Sequence, residues 1–189
     1  VVMIKIHFGG SRNLSDFYDP QVHQVVRTVM QKGCFVNVGC ATGADESIIE
    51  AALSESPAHL SVFTQFSFSG EGAFMFSAFT TVYLAQQSGA QVSYLAGGPL
   101  NVPLKARLMR RSKAALKGCN ASVFFISEPY SPGSLKVAAE AVKQNLPVYV
   151  LPLGFDGQPV PLHGVEGGWQ LAQFFGFPCY QWLPGQSLL

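Results

Sequence analysis

Three glycine-rich stretches and one basic cluster carry the residue types and spacings that could do chemistry. The stretches are Gly9-Gly10-Ser11-Arg12, Gly39-Cys40-Ala41-Thr42-Gly43-Ala44-Asp45 and Ser131-Pro132-Gly133-Ser134. Glycine lets backbone come close to a ligand, and N–H groups left open where a helix begins favour an anion. The cluster holds Lys105, Arg107, Arg110, Arg111, Lys113 and Lys117, six of the 12 basic residues within 13 positions. No acidic residue lies between Glu71 and Glu128 to neutralise it. At about 100° per residue, Arg107, Arg110, Arg111, Lys113 and Lys117 share one broad arc. Leu104, Leu108, Met109, Ala115 and Leu116 share the other, and Lys105 sits unexplained on that apolar side. Uncompensated positive charge implies an anionic partner, of which phosphate is the commonest.

Several other chemistries lack their residues. There is no Gly-Lys-Ser/Thr of a P-loop and no G-x-G-x-x-G, which weakens ATPase and dehydrogenase readings. No G-x-S-x-G nucleophile motif occurs. His7, His23, His59 and His163 show no ligand spacing, so no metal site is expected, and nothing calls for a cofactor. Cys34, Cys40, Cys119 and Cys179 form no C-x-x-C pair, which fits reduced thiols in the cytoplasm.

Composition narrows the partners. The net charge of +1 excludes a chain that binds polyanions through overall charge, so any nucleic-acid contact must be local. Charged residues are only 12%, against a usual ~25%. With 15 Phe and a mean hydropathy of +0.24, some apolar surface is expected to meet a partner or a second copy. Phe63, Phe66, Phe68, Phe74, Phe76 and Phe79 fall within 17 residues. They are read as core or as an oligomer surface, with stacking on nucleic-acid bases as the alternative.

The elements that must position the loops alternate in type. Strands are expected at Val1–Phe8, Cys34–Val38, Leu60–Phe66, Gln91–Leu95, Ala121–Ile126 and Pro147–Leu151. Helices are expected at Pro20–Gln31, around Ile48–Leu53, at Phe74–Gln87, from Pro103 to Lys117, and from Ser134 to Gln144. This alternation implies an α/β fold, a doubly wound, mostly parallel sheet of about six strands with helices on both faces. In such sheets ligands bind beyond the carboxyl ends of the strands, where the three glycine loops lie. Residues 1–152 read as one domain. Residues 153–189 read as an irregular extension packed on it, with one short helix near Trp169–Phe175. The most apolar stretch, Ala73–Ala85, is too short to span a bilayer, and the start lacks a signal-peptide pattern, so a cytoplasmic protein is expected.

Combined, these segments resemble a known superfamily. Val36-Asn37-Val38-Gly39-Cys40-Ala41-Thr42-Gly43-Ala44-Asp45 and the helix after it resemble the strand, glycine loop, Asp and helix of the DNA-processing protein A and lonely-guy superfamily. Arg110-Arg111-Ser112-Lys113 resembles the Arg-Arg-Asn-Arg segment of the DNA-processing branch, with Ser112 in place of Asn. Pro132-Gly133-Ser134-Leu135, then Pro147-Val148-Tyr149-Val150-Leu151-Pro152, resemble its Ser-Gly-Ser-Leu helix and following strand. The likeness runs from about residue 3 to 152 and is weakest over 57–90. It implies a Rossmann-like core that binds single-stranded DNA and loads a recombinase. By position, Gly39, Thr42, Gly43 and Asp45 would shape the anion pocket. Arg110, Arg111 and Lys113 would contact phosphates, and Gly133 and Ser134 would open the last helix onto the ligand.

The enzyme branch hydrolyses nucleoside 5′-monophosphates through Pro-Gly-Gly-x-Gly-Thr-x-x-Glu. Pro132, Gly133 and Glu140 are in register with it, but Ser134, Lys136 and Val137 replace the second Gly, the third Gly and the Thr. Those side chains would crowd a ribose phosphate, so catalysis is the less favoured reading. If it occurred, Glu140 would be the acid/base and Arg110 or Arg111 the phosphate clamp. A third reading is an interaction subunit that keeps the fold and uses its Phe-rich surface.

Overall fold

The computed structural model describes residues 2–185. Eight strands form one sheet in the order β4-β3-β2-β1-β5-β6-β8-β7. The first six are β1 (Lys5–Gly10), β2 (Phe35–Val38), β3 (Leu60–Phe63), β4 (Gln91–Ser93), β5 (Ala121–Ile126) and β6 (Val148–Pro152), all parallel. Between them run α1 (Asp19–Gln31), α2 (Ala44–Glu55), α3 (Phe76–Gln87), α4 (Leu104–Leu116) and α5 (Pro132–Lys143).

The sheet is buried on both sides, and β5 shows how. All six of its residues are buried, and they divide by parity. Val123 and Phe125 join the core beneath α1 and α2, with Val22, Val26, Ile48 and Ile49. Phe124 and Ile126 join a second core with Leu116 of α4 and Leu135 and Ala138 of α5. A strand covered on both faces has to be apolar throughout, which is why it reads as a continuous run.

The expected count of about six strands is corrected to eight, because the tail is not irregular. β7 (Gly167–Phe174) and β8 (Phe177–Pro184) form an antiparallel hairpin that adds to β6 through β8. The expected helix at Trp169–Phe175 is β7 instead. Its two-residue turn, Phe175-Gly176, has φ of 49° and 83°, the positive pair that a type I′ turn needs. Trp169 packs edge-on against Trp182 across the hairpin, at 5.1 Å between ring centroids. Among the described residues, no helix is long and apolar enough to cross a membrane.

Candidate functional site

The chain winds outward from β1 through β2 and β3 to β4, then returns to lay β5 against the other side of β1. The direction of winding therefore reverses between β1 and β5, where neighbouring loops part and leave a crevice. A cleft of about 560 Å³ opens there, and all three glycine stretches reach it. Its lining includes Gly9, Gly10, Arg12, Gly39, Asp45, Pro132, Gly133 and Ser134. One wall is α4, through Lys105, Leu108, Met109, Arg111, Ser112 and Ala115. Leu108, Met109 and Ala115 of the arc expected to be apolar thus face the cleft together with Lys105, whereas Leu116 of that arc joins the second core.

Ser11 ties the loops together beneath the cleft without lining it. Its N–H donates to the Phe125 carbonyl at 2.9 Å, and its carbonyl accepts from Ala44 N–H at 3.0 Å. Its Oγ accepts from Ser127 N–H at 3.0 Å and lies 3.0 Å from the Ser131 hydroxyl. Gly43 begins α2 at φ 73°, and a side chain there would strike the Arg12 carbonyl. Leu135 N–H bonds the Ser131 carbonyl at 2.9 Å. The N–H groups of Gly133 and Ser134 precede it and stand outside the ladder of α5.

The charged groups fall in two tiers. Arg12, Lys105, Lys136 and Glu128 are exposed on the rim, whereas His7, Asp45 and Arg111 are buried in the lining. Four basic side chains thus face two acidic ones. Arg111 is 8% exposed; its NH1 donates to Gln65 Oε1 at 3.2 Å and lies 3.5 Å from Cys40 Sγ. Its Nε is buried without a partner, a costly state for a charged donor. Asp45 accepts from Ala41 N–H at 2.9 Å. Burial raises its carboxyl above the usual range, opposed chiefly by the Arg111 charge. His7 lies 2.7 Å through Nδ1 from the Ser122 hydroxyl, and burial followed by Arg111 pushes it down to about 3, so it is neutral.

The remaining expected residues lie elsewhere. Thr42 lines a smaller cavity beside the cleft and donates to the Arg12 carbonyl at 3.2 Å. Arg110 is exposed and lines neither cavity. Lys113 pairs with Glu140 at 3.7 Å, and neither lines a cavity. The single basic arc of α4 is therefore divided. Arg107 is buried and structural, donating to the carbonyls of Val102 at 3.0 Å and Gln65 at 2.8 Å. Sequence reasoning missed His7, Lys105 and Lys136 on the cleft. Apart from the cleft, Asp19 and His23 of α1 and Glu50 of α2 bring ligand atoms within 4.8 Å of one another.

Residues 5–159 match the family of DNA recombination-mediator protein A. The chain belongs to that family. Its fold also resembles two solved proteins described as DNA processing protein A. The Helicobacter pylori protein, solved for its single-stranded DNA binding mode, has a TM-score of 0.65 at 18% identity over 82% of this chain and 68% of its own. The Streptococcus pneumoniae protein has a TM-score of 0.63 at 20% identity, over 80% of this chain and 51% of its own. This chain thus spans about half the length of the second protein. No curated protein matches it.

Proposed function

We propose that this chain binds single-stranded DNA through the cleft between β1 and β5, as a member of a recombination-mediator family. The observation that carries the reading is Arg111, a buried guanidinium with an unpartnered Nε in the wall of a cleft rimmed by Arg12, Lys105 and Lys136. A backbone phosphate in the cleft would offset this buried charge, and the N–H groups of Gly133 and Ser134 offer it donors. The rim cations would attract the rest of the strand. Family membership supports the same reading. Nucleotide hydrolysis fits less well, since Glu140 pairs with Lys113 outside the cleft.

The test is fluorescence anisotropy of a labelled single-stranded oligonucleotide at two salt concentrations, with AMP as competitor. Binding should weaken steeply with salt and resist AMP. Arg111→Lys, which keeps the charge but loses the planar fork, should bind about tenfold more weakly or worse. Arg110→Ala should change little beyond screened attraction. Absence of binding at low salt would end the reading.

A further inference from the structure

Along the seam between α1 and α2, residues at four-residue intervals on one helix face the other. Arg27 of α1 donates through Nε and NH2 to Ser54 Oγ of α2, at 3.1 and 2.9 Å. One turn earlier, His23 Nε2 lies 3.8 Å from Glu50 Oε2. Both pairs are 27 positions apart, and the same offset sets Asp19 level with Glu46. The seam thus begins with two carboxylates, and beside them Asp19, His23 and Glu50 bring ligand atoms within 4.8 Å of one another. We infer that this seam binds a zinc-like divalent ion through Asp19, His23 and Glu50. None of the three lines the cleft or the smaller cavity, so the site stands independently of DNA binding.

Three observations carry it. First, the imidazole is free to ligate. His23 Nε2 is buried without a hydrogen-bond partner, as is Glu46 Oε1 on the same seam. At 3.8 Å the Glu50 carboxylate is too far to accept from it. A buried nitrogen left so is costly, and a metal ion supplies a partner to the neutral ring. Second, the spacing fits one ion. Zinc holds nitrogen and oxygen at about 2.1 Å, so two ligands of one ion stand at most about 4.2 Å apart. His23 and Glu50 already meet that limit, and the widest separation has to close by only about half an ångström. Third, the seam lacks positive charge. The ion pairs among the described residues are His23–Glu50 and Lys113–Glu140, so no lysine or arginine neutralises Asp19, Glu46 or Glu50. Burial and then the Asp19 charge raise the Glu50 carboxyl, with a further push from Glu46. A divalent ion would balance two of these carboxylates. The mixed donor set selects its kind, since imidazole suits zinc and its neighbours whereas magnesium favours oxygen alone. Glu50 is 60% exposed, which leaves the remaining positions to water. The ion would pin together the two helices that follow the first two glycine loops.

The experiment is calorimetric titration of the metal-free full chain with ZnCl2, and separately with MgCl2. Zinc should bind one ion per chain, and magnesium at the same concentration should give no binding heat. His23→Gln and Glu50→Gln should each weaken zinc binding by at least about tenfold, since even an outer-sphere partner of a metal contributes that much. His163→Gln, at an exposed histidine outside the cluster, should leave zinc binding unchanged. Thermal melts of the same proteins keep folding and binding apart. Without metal, Glu50→Gln should melt close to the unaltered chain, because the side chain is largely in water. With zinc, the midpoint should rise for the unaltered chain and not for either variant. No saturable zinc binding, zinc binding that both variants retain, or magnesium binding as tight as zinc would overturn the site.

Discussion

Asp45 and Arg111 flank the space that a side chain at position 39 would fill. A Cβ built on Gly39 would lie 2.9 Å from Asp45 Oδ2 and 3.2 Å from Arg111 Cζ. The glycine is thus required by its two charged neighbours. Gly39→Ala should push the guanidinium from its place, weaken oligonucleotide binding about tenfold, and destabilise the fold by about 1–3 kcal/mol through overpacking. Anisotropy and urea unfolding would measure both. Unchanged affinity would show that the position of Arg111 does not govern binding.

Asp45 sets a pH dependence of binding. Its carboxyl is raised by burial, so it takes up a proton at a higher pH than a free aspartate. Protonation removes a negative charge from a site that binds an anion. Affinity should therefore rise as pH falls through the raised value. Asp45→Asn keeps an oxygen for Ala41 N–H but cannot titrate. It should show a flatter pH profile than the unaltered chain and bind more tightly wherever Asp45 is ionised. Profiles that coincide for the two proteins would refute this.

Strand–helix alternation and the three glycine loops were legible because each is local. Apolar runs, turn glycines and loop order all follow from near neighbours in the chain, and they located the cleft. The division of α4 was not legible. Arg107 and Arg111 look like surface residues in a basic helix, and the acceptor for both is Gln65, more than 40 positions away. Lys105 was unexplained on the apolar arc because nothing in the sequence shows that part of that arc lines a cleft.

The hairpin failed for a different reason. Trp169 and Phe174 are the buried residues of β7, five positions apart, because Trp169 packs into the second core and Phe174 into the first. An odd spacing hides the period of two that marks a half-buried strand. The turn is Phe-Gly rather than the Asn-Gly that signals a hairpin.

Lys105 tests the face assignment of α4 directly. It lines the cleft, whereas Lys117 is exposed and lines neither cavity. If Lys105 meets a phosphate, Lys105→Ala should reduce the slope of log affinity against log salt by about 0.7, the increment for one contact on a single strand. Lys117→Ala should leave that slope unchanged. Equal slopes for both variants would return Lys105 to the solvent.

His7 makes stability, rather than binding, depend on acid. The unfolded chain protonates this imidazole near pH 6.5, and the folded chain resists until about 3. Between those limits the unfolded state holds the extra proton, so stability is fully present above 6.5 and falls as pH falls. The slope approaches about 1.4 kcal/mol per pH unit. Asparagine at this position cannot titrate and can still hydrogen-bond the Ser122 hydroxyl. Urea unfolding at pH 7 and pH 5 should show the unaltered protein losing about 2 kcal/mol more than His7→Asn over that interval. The comparison cancels the contributions of Asp45 and the surface carboxylates, which both proteins share. An equal loss would mean that the folded protein takes up the proton on His7 as readily as the unfolded chain does.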